Sequence, residues 1–247
     1  MVHFVGAGPG APDLITVRAK TLLETTDVVI YAGSLVNPEL LKLVKGTCAI
    51  YNSAELTLEE VIDIIKTAAH GDKDIVRLHT GDPSIYGAIR EQIDRLRELN
   101  IAFDICPGVS SLFGAAAALE AEYTLPGVSQ TVIITRGEGR TPVPASENLK
   151  SLAAHKATMA IFLSAGMLET VSGELIAGGY APDTPAAIVY KATWPQEKIF
   201  RGKLVDLAKL GCCKKTALVV VGNILGSDYE LSRLYDANFS TEFRKAK

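Results

Sequence analysis

The chain has 247 residues, 48% of them hydrophobic and 21% charged, with 25 Lys and Arg against 28 Asp and Glu. That is enough chain for one large or two mid-sized domains with a real hydrophobic core, in a composition ordinary for globular proteins. A net charge of −3 with no long basic stretch gives no reason to expect nucleic acid, and no apolar run reaches the roughly 18 residues that would suggest a membrane span.

The N-terminus enters a strand pattern at once, without the basic start and apolar segment of a secretory leader; four cysteines without framework spacing make a reduced, cytoplasmic protein the default expectation. Strand patterns follow at 2–5, 28–31, 48–51, 75–79 and 103–106. Helical patterns lie between them at 14–24, 38–44, 58–69, 85–99 and 110–119. Thr57 and Glu60 have the spacing of a capping box at the start of the third helix. Strands alternating with helices predict βαβ units and a mostly parallel sheet.

Tyr123-Thr124-Leu125-Pro126-Gly127 breaks the pattern. Strands are then expected at 131–135, 159–163, 187–190, 198–201 and 218–221, with helices only at 147–154, 168–177 and 204–210. No helix separates 187–190 from 198–201, which predicts an antiparallel pair and a mixed sheet. The expected architecture is therefore α/β in two domains, 1–119 and 120–247. Of the four cysteines, Cys48 and Cys106 sit in apolar strand patterns and read as buried small hydrophobes; Cys212 and Cys213 read as a turn feature without a role. None forms the C-x-x-C pair of a metal or disulfide framework, and no metal site is expected.

The opening loop, Gly6-Ala7-Gly8-Pro9-Gly10-Ala11-Pro12-Asp13, joins the first strand to the first helix, where dinucleotide-binding folds hold a pyrophosphate. Pro9 and Pro12 carry no N–H to aim at a phosphate. The second strand ends Val29-Ile30-Tyr31-Ala32-Gly33, with no acid for a ribose hydroxyl, and there is no Walker lysine. Glycines that allow close approach, stiffened by prolines, suit a flat organic molecule better than a phosphate. Standing alone, the loop would leave a plain strand-to-helix turn as the lesser alternative.

It does not stand alone. His79-Thr80-Gly81-Asp82-Pro83-Ser84-Ile85-Tyr86-Gly87 and Cys106-Pro107-Gly108-Val109-Ser110-Ser111 also follow predicted parallel strands, at the end where open α/β sheets place ligands. With Val5 to Thr16, these segments resemble the tetrapyrrole (corrin/porphyrin) methylases. Within that family, Tyr31-Ala32-Gly33-Ser34-Leu35-Val36 and Leu234-Tyr235-Asp236-x-x-Phe239-x-Thr241-x-Phe243-Arg244 are most similar to the precorrin-4 C11-methyltransferases of cobalamin biosynthesis.

The resemblance implies methyl transfer from S-adenosylmethionine to precorrin-4 or its cobalt form, releasing S-adenosylhomocysteine, in a cleft between two domains. It also implies a homodimer. Carried over by motif, Pro9, Thr80, Gly81, Asp82, Ile85, Ser110 and Ser111 would line the cofactor site, with Leu163, Ala192 and Ala217 from the later part of the chain. Asp82 is also a good turn residue in its own right. A polycarboxylate substrate needs cations, for which Arg136, Arg140 and Lys191 are candidates beside Gly8, Gly10, Asp13 and Ser34. Arg136-Gly137-Glu138-Gly139-Arg140 would form a loop able to close over a macrocycle.

No residue is expected to act as a catalytic acid or base. The donor brings its own leaving group, and the contribution expected of the protein is alignment and exclusion of water. The four histidines (3, 70, 79 and 155) have no paired spacing, and His3 and His79 read as core or sheet-end residues. Three other readings compete: another tetrapyrrole position or diphthine synthesis on the same fold, an NAD(P)-dependent reductase, and a tetrapyrrole carrier without catalysis.

Overall fold

The computed structural model describes residues 1–211 and 215–246, so the expectations for Cys212 and Cys213 lie outside the described residues. The chain forms two compact units. The first comprises Met1–Ala115 with Lys191–Glu197, and the second Ala116–Tyr190 with Lys198–Lys247.

In the first unit, β1 (Val2–Gly6), β2 (Val28–Tyr31), β3 (Ala49–Asn52), β4 (Ile75–His79) and β5 (Phe103–Cys106) form one sheet in the order β3-β2-β4-β1-β5. Every pairing in it is parallel, as the alternating pattern predicts. β1 and β4 are buried at every position, His3, Arg77 and His79 included, as expected of the central strands of a sheet covered on both faces. α2 (Leu58–His70) and α3 (Arg90–Glu98) pack Val61, Ile62, Ile65, Ile93 and Leu96 against Phe4, Ile30 and Ile75. α1 (Val17–Thr25) packs Ala19 and Leu23 with Val5, Val29 and Leu78 in a separate cluster. α4 (Ser111–Leu119) follows β5. The capping box is present: Thr57 Oγ1 accepts from the Glu60 N–H, and Glu60 accepts from the Thr57 N–H at 2.7 Å.

In the second unit, β6 (Val132–Arg136), β7 (Thr158–Phe162), β8 (Pro185–Tyr190), β9 (Lys198–Lys203) and β10 (Ala217–Val221) form a sheet in the order β6-β7-β10-β8-β9. Only β6 and β7 pair in parallel; β7–β10, β10–β8 and the expected β8–β9 pair are antiparallel. α5 (Leu149–Ala153), α6 (Leu168–Ala177) and α7 (Leu207–Leu210) cover it through Leu149, Val171, Leu175 and Leu207. Among the described residues, no helix is long and apolar enough to cross a membrane.

Several expected helices are shorter than their patterns. The pattern at 14–24 resolves into a 3-10 turn, Pro12–Leu14, and α1, which is capped by Thr16. The pattern at 38–44 is 3-10 throughout, and those at 147–154 and 204–210 each split into a 3-10 turn and a short helix. The largest correction is at 85–99, where α3 starts only at Arg90. Tyr86 (φ 56°) and Ala88 (φ 50°) are left-handed, a conformation that interrupts a right-handed helix. Cys106 is buried as expected; Cys48 precedes β3 and is half-buried, with burial raising its thiol pKa.

Candidate active site

The strand order sets β4, β1 and β5 side by side, so the loops carrying the three motifs leave the sheet next to one another. They are joined backbone to backbone. Gly8 and Gly81 exchange N–H···O bonds at 3.2 and 2.9 Å, and the Ala7 N–H donates to the His79 carbonyl at 2.7 Å. A Cβ on Gly6 would lie 2.5 Å from Gly108 Cα and 2.6 Å from the Gly81 carbonyl oxygen, so no side chain fits at this three-way contact.

Asp82 ties the second and third loops together. Its Oδ2 accepts from the Gly108 N–H at 2.8 Å, and its Oδ1 accepts from the N–H and hydroxyl of Ser84. Burial alone would raise its pKa, but the bonds from Ser84 and Gly108 outweigh that and hold the group below the ordinary carboxylate range. Thr80 Oγ1 and His79 Nε2, which precede it, are buried with no hydrogen-bond partner. Burial, reinforced by the charge of Arg77, pushes the His79 pKa down to about 3, so its imidazole is neutral near pH 7. The buried Arg77 guanidinium donates to the Ile30 carbonyl and to Gln92 Oε1, each at 3.0 Å, and Gln92 in turn donates to the Ala88 carbonyl. That chain of bonds anchors the left-handed segment after the Asp82 turn. Ile85 is half-buried in the same segment.

Ser110 is buried, and its Oγ accepts from the Leu112 N–H at 3.2 Å as the first turn of α4 begins; Ser111 is half-buried. Pro9, Gly8 and Gly10 are buried, and Asp13 is exposed in its 3-10 turn. Ser34 lies in the 3-10 turn Gly33–Leu35, with its side chain outside the described part. Ala192 is buried, with its Cβ in ordinary contact range of the Gly114 position. Lys191 Nζ stands 4.8 Å from the ring centroid of Trp194.

In the second unit, Leu163 directly follows β7, with φ 54° and 67% of its surface exposed. A branched side chain held left-handed and out of the core marks a constrained surface position. Ala217 opens β10 opposite Tyr190. The Arg136 guanidinium donates to the carbonyls of Gly137, Thr141 and Pro142, shaping its own loop, while Arg140 is exposed. The Gly137 N–H is pinned to the fully buried Ser164 Oγ at 2.8 Å, so the loop is anchored at its base.

Residues 1–208 match the family model described as Tetrapyrrole (Corrin/Porphyrin) Methylases. The chain belongs to this family. A tetrapyrrole methylase relative named cobalt-precorrin-4 C(11)-methyltransferase, from Methanocaldococcus jannaschii, is 57% identical over 99% of this chain and 96% of its own length. A solved cobalt precorrin-4 methyltransferase, described as a cobalamin biosynthetic enzyme, superposes with a TM-score of 0.88 at 45% identity, covering 92% of this chain and 96% of that one. A uroporphyrin-III C-methyl transferase from Thermus thermophilus, complexed with S-adenosyl homocysteine, gives 0.78 at 26% identity, over 91% and 98%.

The sequence reading missed residues that shape the tetrapyrrole-methylase loops from a distance. Asn37 is buried and donates to the Gly10 carbonyl at 2.8 Å while capping the next turn. The cap is visible in Asn37-Pro38, but the bond to Gly10 is not a local signal. Thr193, Trp194 and Ser164 are of the same kind.

Proposed function

We propose that this chain transfers a methyl group from S-adenosylmethionine to C11 of precorrin-4 or its cobalt form, in cobalamin biosynthesis. The observation that carries this reading is the relative named for that reaction, 57% identical across nearly the whole of both chains. The S-adenosyl homocysteine complex of the Thermus thermophilus neighbour supports the choice of donor. A homodimer in the cytoplasm belongs to the same reading.

The residues fit such a donor. Pro9, Thr80, Gly81, Asp82, Ile85, Ser110, Ser111, Leu163, Ala192 and Ala217 are assigned to hold it. The partnerless, buried Thr80 hydroxyl is a hydrogen-bonding atom left for a ligand to satisfy. Asp82 acts mainly by fixing the Gly108 loop, since its oxygens already serve three donors. When bound, the donor supplies a methyl on a positively charged sulfur, whose departure needs no acid. What remains for the protein is to fix the geometry of attack and exclude water, for which a rigid, glycine-packed wall is suited. Gly8, Asp13, Ser34, Arg136, Arg140 and Lys191 are assigned to the acceptor, the cations to its carboxylates; the open face of Gly10 is taken by the Trp194 ring.

The test is incubation of the purified protein with labelled S-adenosylmethionine and, separately, precorrin-4, cobalt-precorrin-4 and uroporphyrinogen III. Label should enter C11 of one of the first two. Methylation of uroporphyrinogen III alone would move the assignment to another acceptor. Tight NAD(P)H binding without binding of S-adenosylhomocysteine would overturn it.

A further inference from the structure

Far from the opening loop in sequence, Lys191–Glu197 nonetheless belongs to the same compact unit. Two of its non-glycine residues are left-handed, Lys191 (φ 48°) and Thr193 (φ 69°), a conformation that persists only where surrounding contacts enforce it. Those contacts converge on the loop. The Ala11 N–H donates to Thr193 Oγ1 at 2.9 Å, and the Trp194 indole N–H donates to the Pro9 carbonyl at 3.3 Å. The segment is closed on itself by the Thr193 N–H to Glu197 Oε2 at 2.6 Å and the Trp194 N–H to the Lys191 carbonyl at 3.0 Å.

A Cβ on Gly10 would overlap Trp194 Cδ1 and Nε1. The flat group that the glycine admits is therefore the protein's own indole. The other feature of that ring is the Lys191 ammonium over its face. One side chain thus touches both the Pro9–Gly10 turn and Lys191.

We propose that Trp194 is a positioning residue for methyl transfer, locking Pro9 and Lys191 into one arrangement so that donor and acceptor carboxylate are held in register. This rests on the assignment of Pro9 to the donor and Lys191 to the acceptor made above. Two different interactions carry the two arms. The indole N–H fixes Pro9, and the aromatic face fixes Lys191.

The arms separate by substitution. Trp194→Phe keeps an aromatic face and loses the N–H; Trp194→Leu loses both. Acceptor KM, kcat and the calorimetric Kd for S-adenosylhomocysteine are measured for each, with thermal midpoints to check folding. Trp194→Leu should raise acceptor KM about three- to tenfold, the range of a partly desolvated cation–π contact, and weaken S-adenosylhomocysteine. Trp194→Phe should restore most of the acceptor KM and leave the weaker S-adenosylhomocysteine binding. In a Lys191→Met background, Trp194→Leu should change acceptor KM little further. The inference is overturned if Trp194→Leu leaves both constants unchanged, if Phe and Leu behave alike on acceptor KM, or if the Lys191→Met and Trp194→Leu effects on it multiply. A wild-type protein that binds no S-adenosylhomocysteine, or methylates neither form of precorrin-4, sinks the underlying assignment and takes this inference with it.

Discussion

Replacing His79 by leucine should make the protein less sensitive to mild acid. His79 is 3% exposed at the end of β4, its Nε2 has no partner, and burial, followed by repulsion from Arg77, depresses its pKa to about 3. In the unfolded chain an imidazole titrates near 6.5. Between those values the unfolded state binds a proton that the folded state refuses, so stability rises with pH and falls as pH drops below the unfolded value. At pH 5 the gap from 6.5 corresponds to a loss of about 2 kcal/mol, and at pH 7.5 to almost none. An apolar residue of similar size forfeits no hydrogen bond at Nε2. Urea melts of wild type and His79→Leu at pH 7.5 and 5.0 give the answer as a difference of differences, which cancels the titration of every other group. If the stability gap between the two proteins is the same at both pH values, the imidazole is not held neutral by its surroundings and the reasoning fails.

Asp82→Asn offers one acceptor oxygen where the carboxylate offers two, and turns an NH2 toward Ser84 or Gly108. A loss of about 1.5–3 kcal/mol in urea melts is expected, with weaker S-adenosylhomocysteine binding by calorimetry. Because the folded pKa of Asp82 is depressed, its contribution is present above the ordinary carboxylate value and is lost as pH falls through the folded pKa; the variant should lack that part of the acid transition. Gly108→Ala places a methyl 2.6 Å from Gly6 Cα, against backbone that cannot swing aside, and should cost at least about 1–3 kcal/mol of stability by thermal melt. Arg140→Ala should raise acceptor KM with an unchanged melting point. Arg136→Ala should also raise acceptor KM and speed proteolysis within 137–142, whose carbonyls it now holds; unchanged acceptor affinity in both would remove them from the site. Thr57→Ala should cost about 1 kcal/mol through the lost cap of α2, leaving methyl transfer intact.

Most strands were legible in the sequence because a buried parallel strand is written locally, as in Val28–Tyr31 and Ile75–His79, and so was the capping box at Thr57 and Glu60. The two α/β units and the three motif loops at the ends of parallel strands followed from the same local patterns. The sequence alone could not place the start of α3, since nothing in Tyr86 or Ala88 announces a left-handed backbone; it is imposed by the turn and anchored by Arg77 and Gln92. Nor could it show that Asp82 closes on Gly108, or that Asn37 and Trp194 hold the carbonyls of Gly10 and Pro9. Periodicity and turn chemistry report on neighbours a few residues apart. Contacts across 26 to 185 residues depend on the path of the folded chain, and only the tertiary structure decides which side chains finish at the same place.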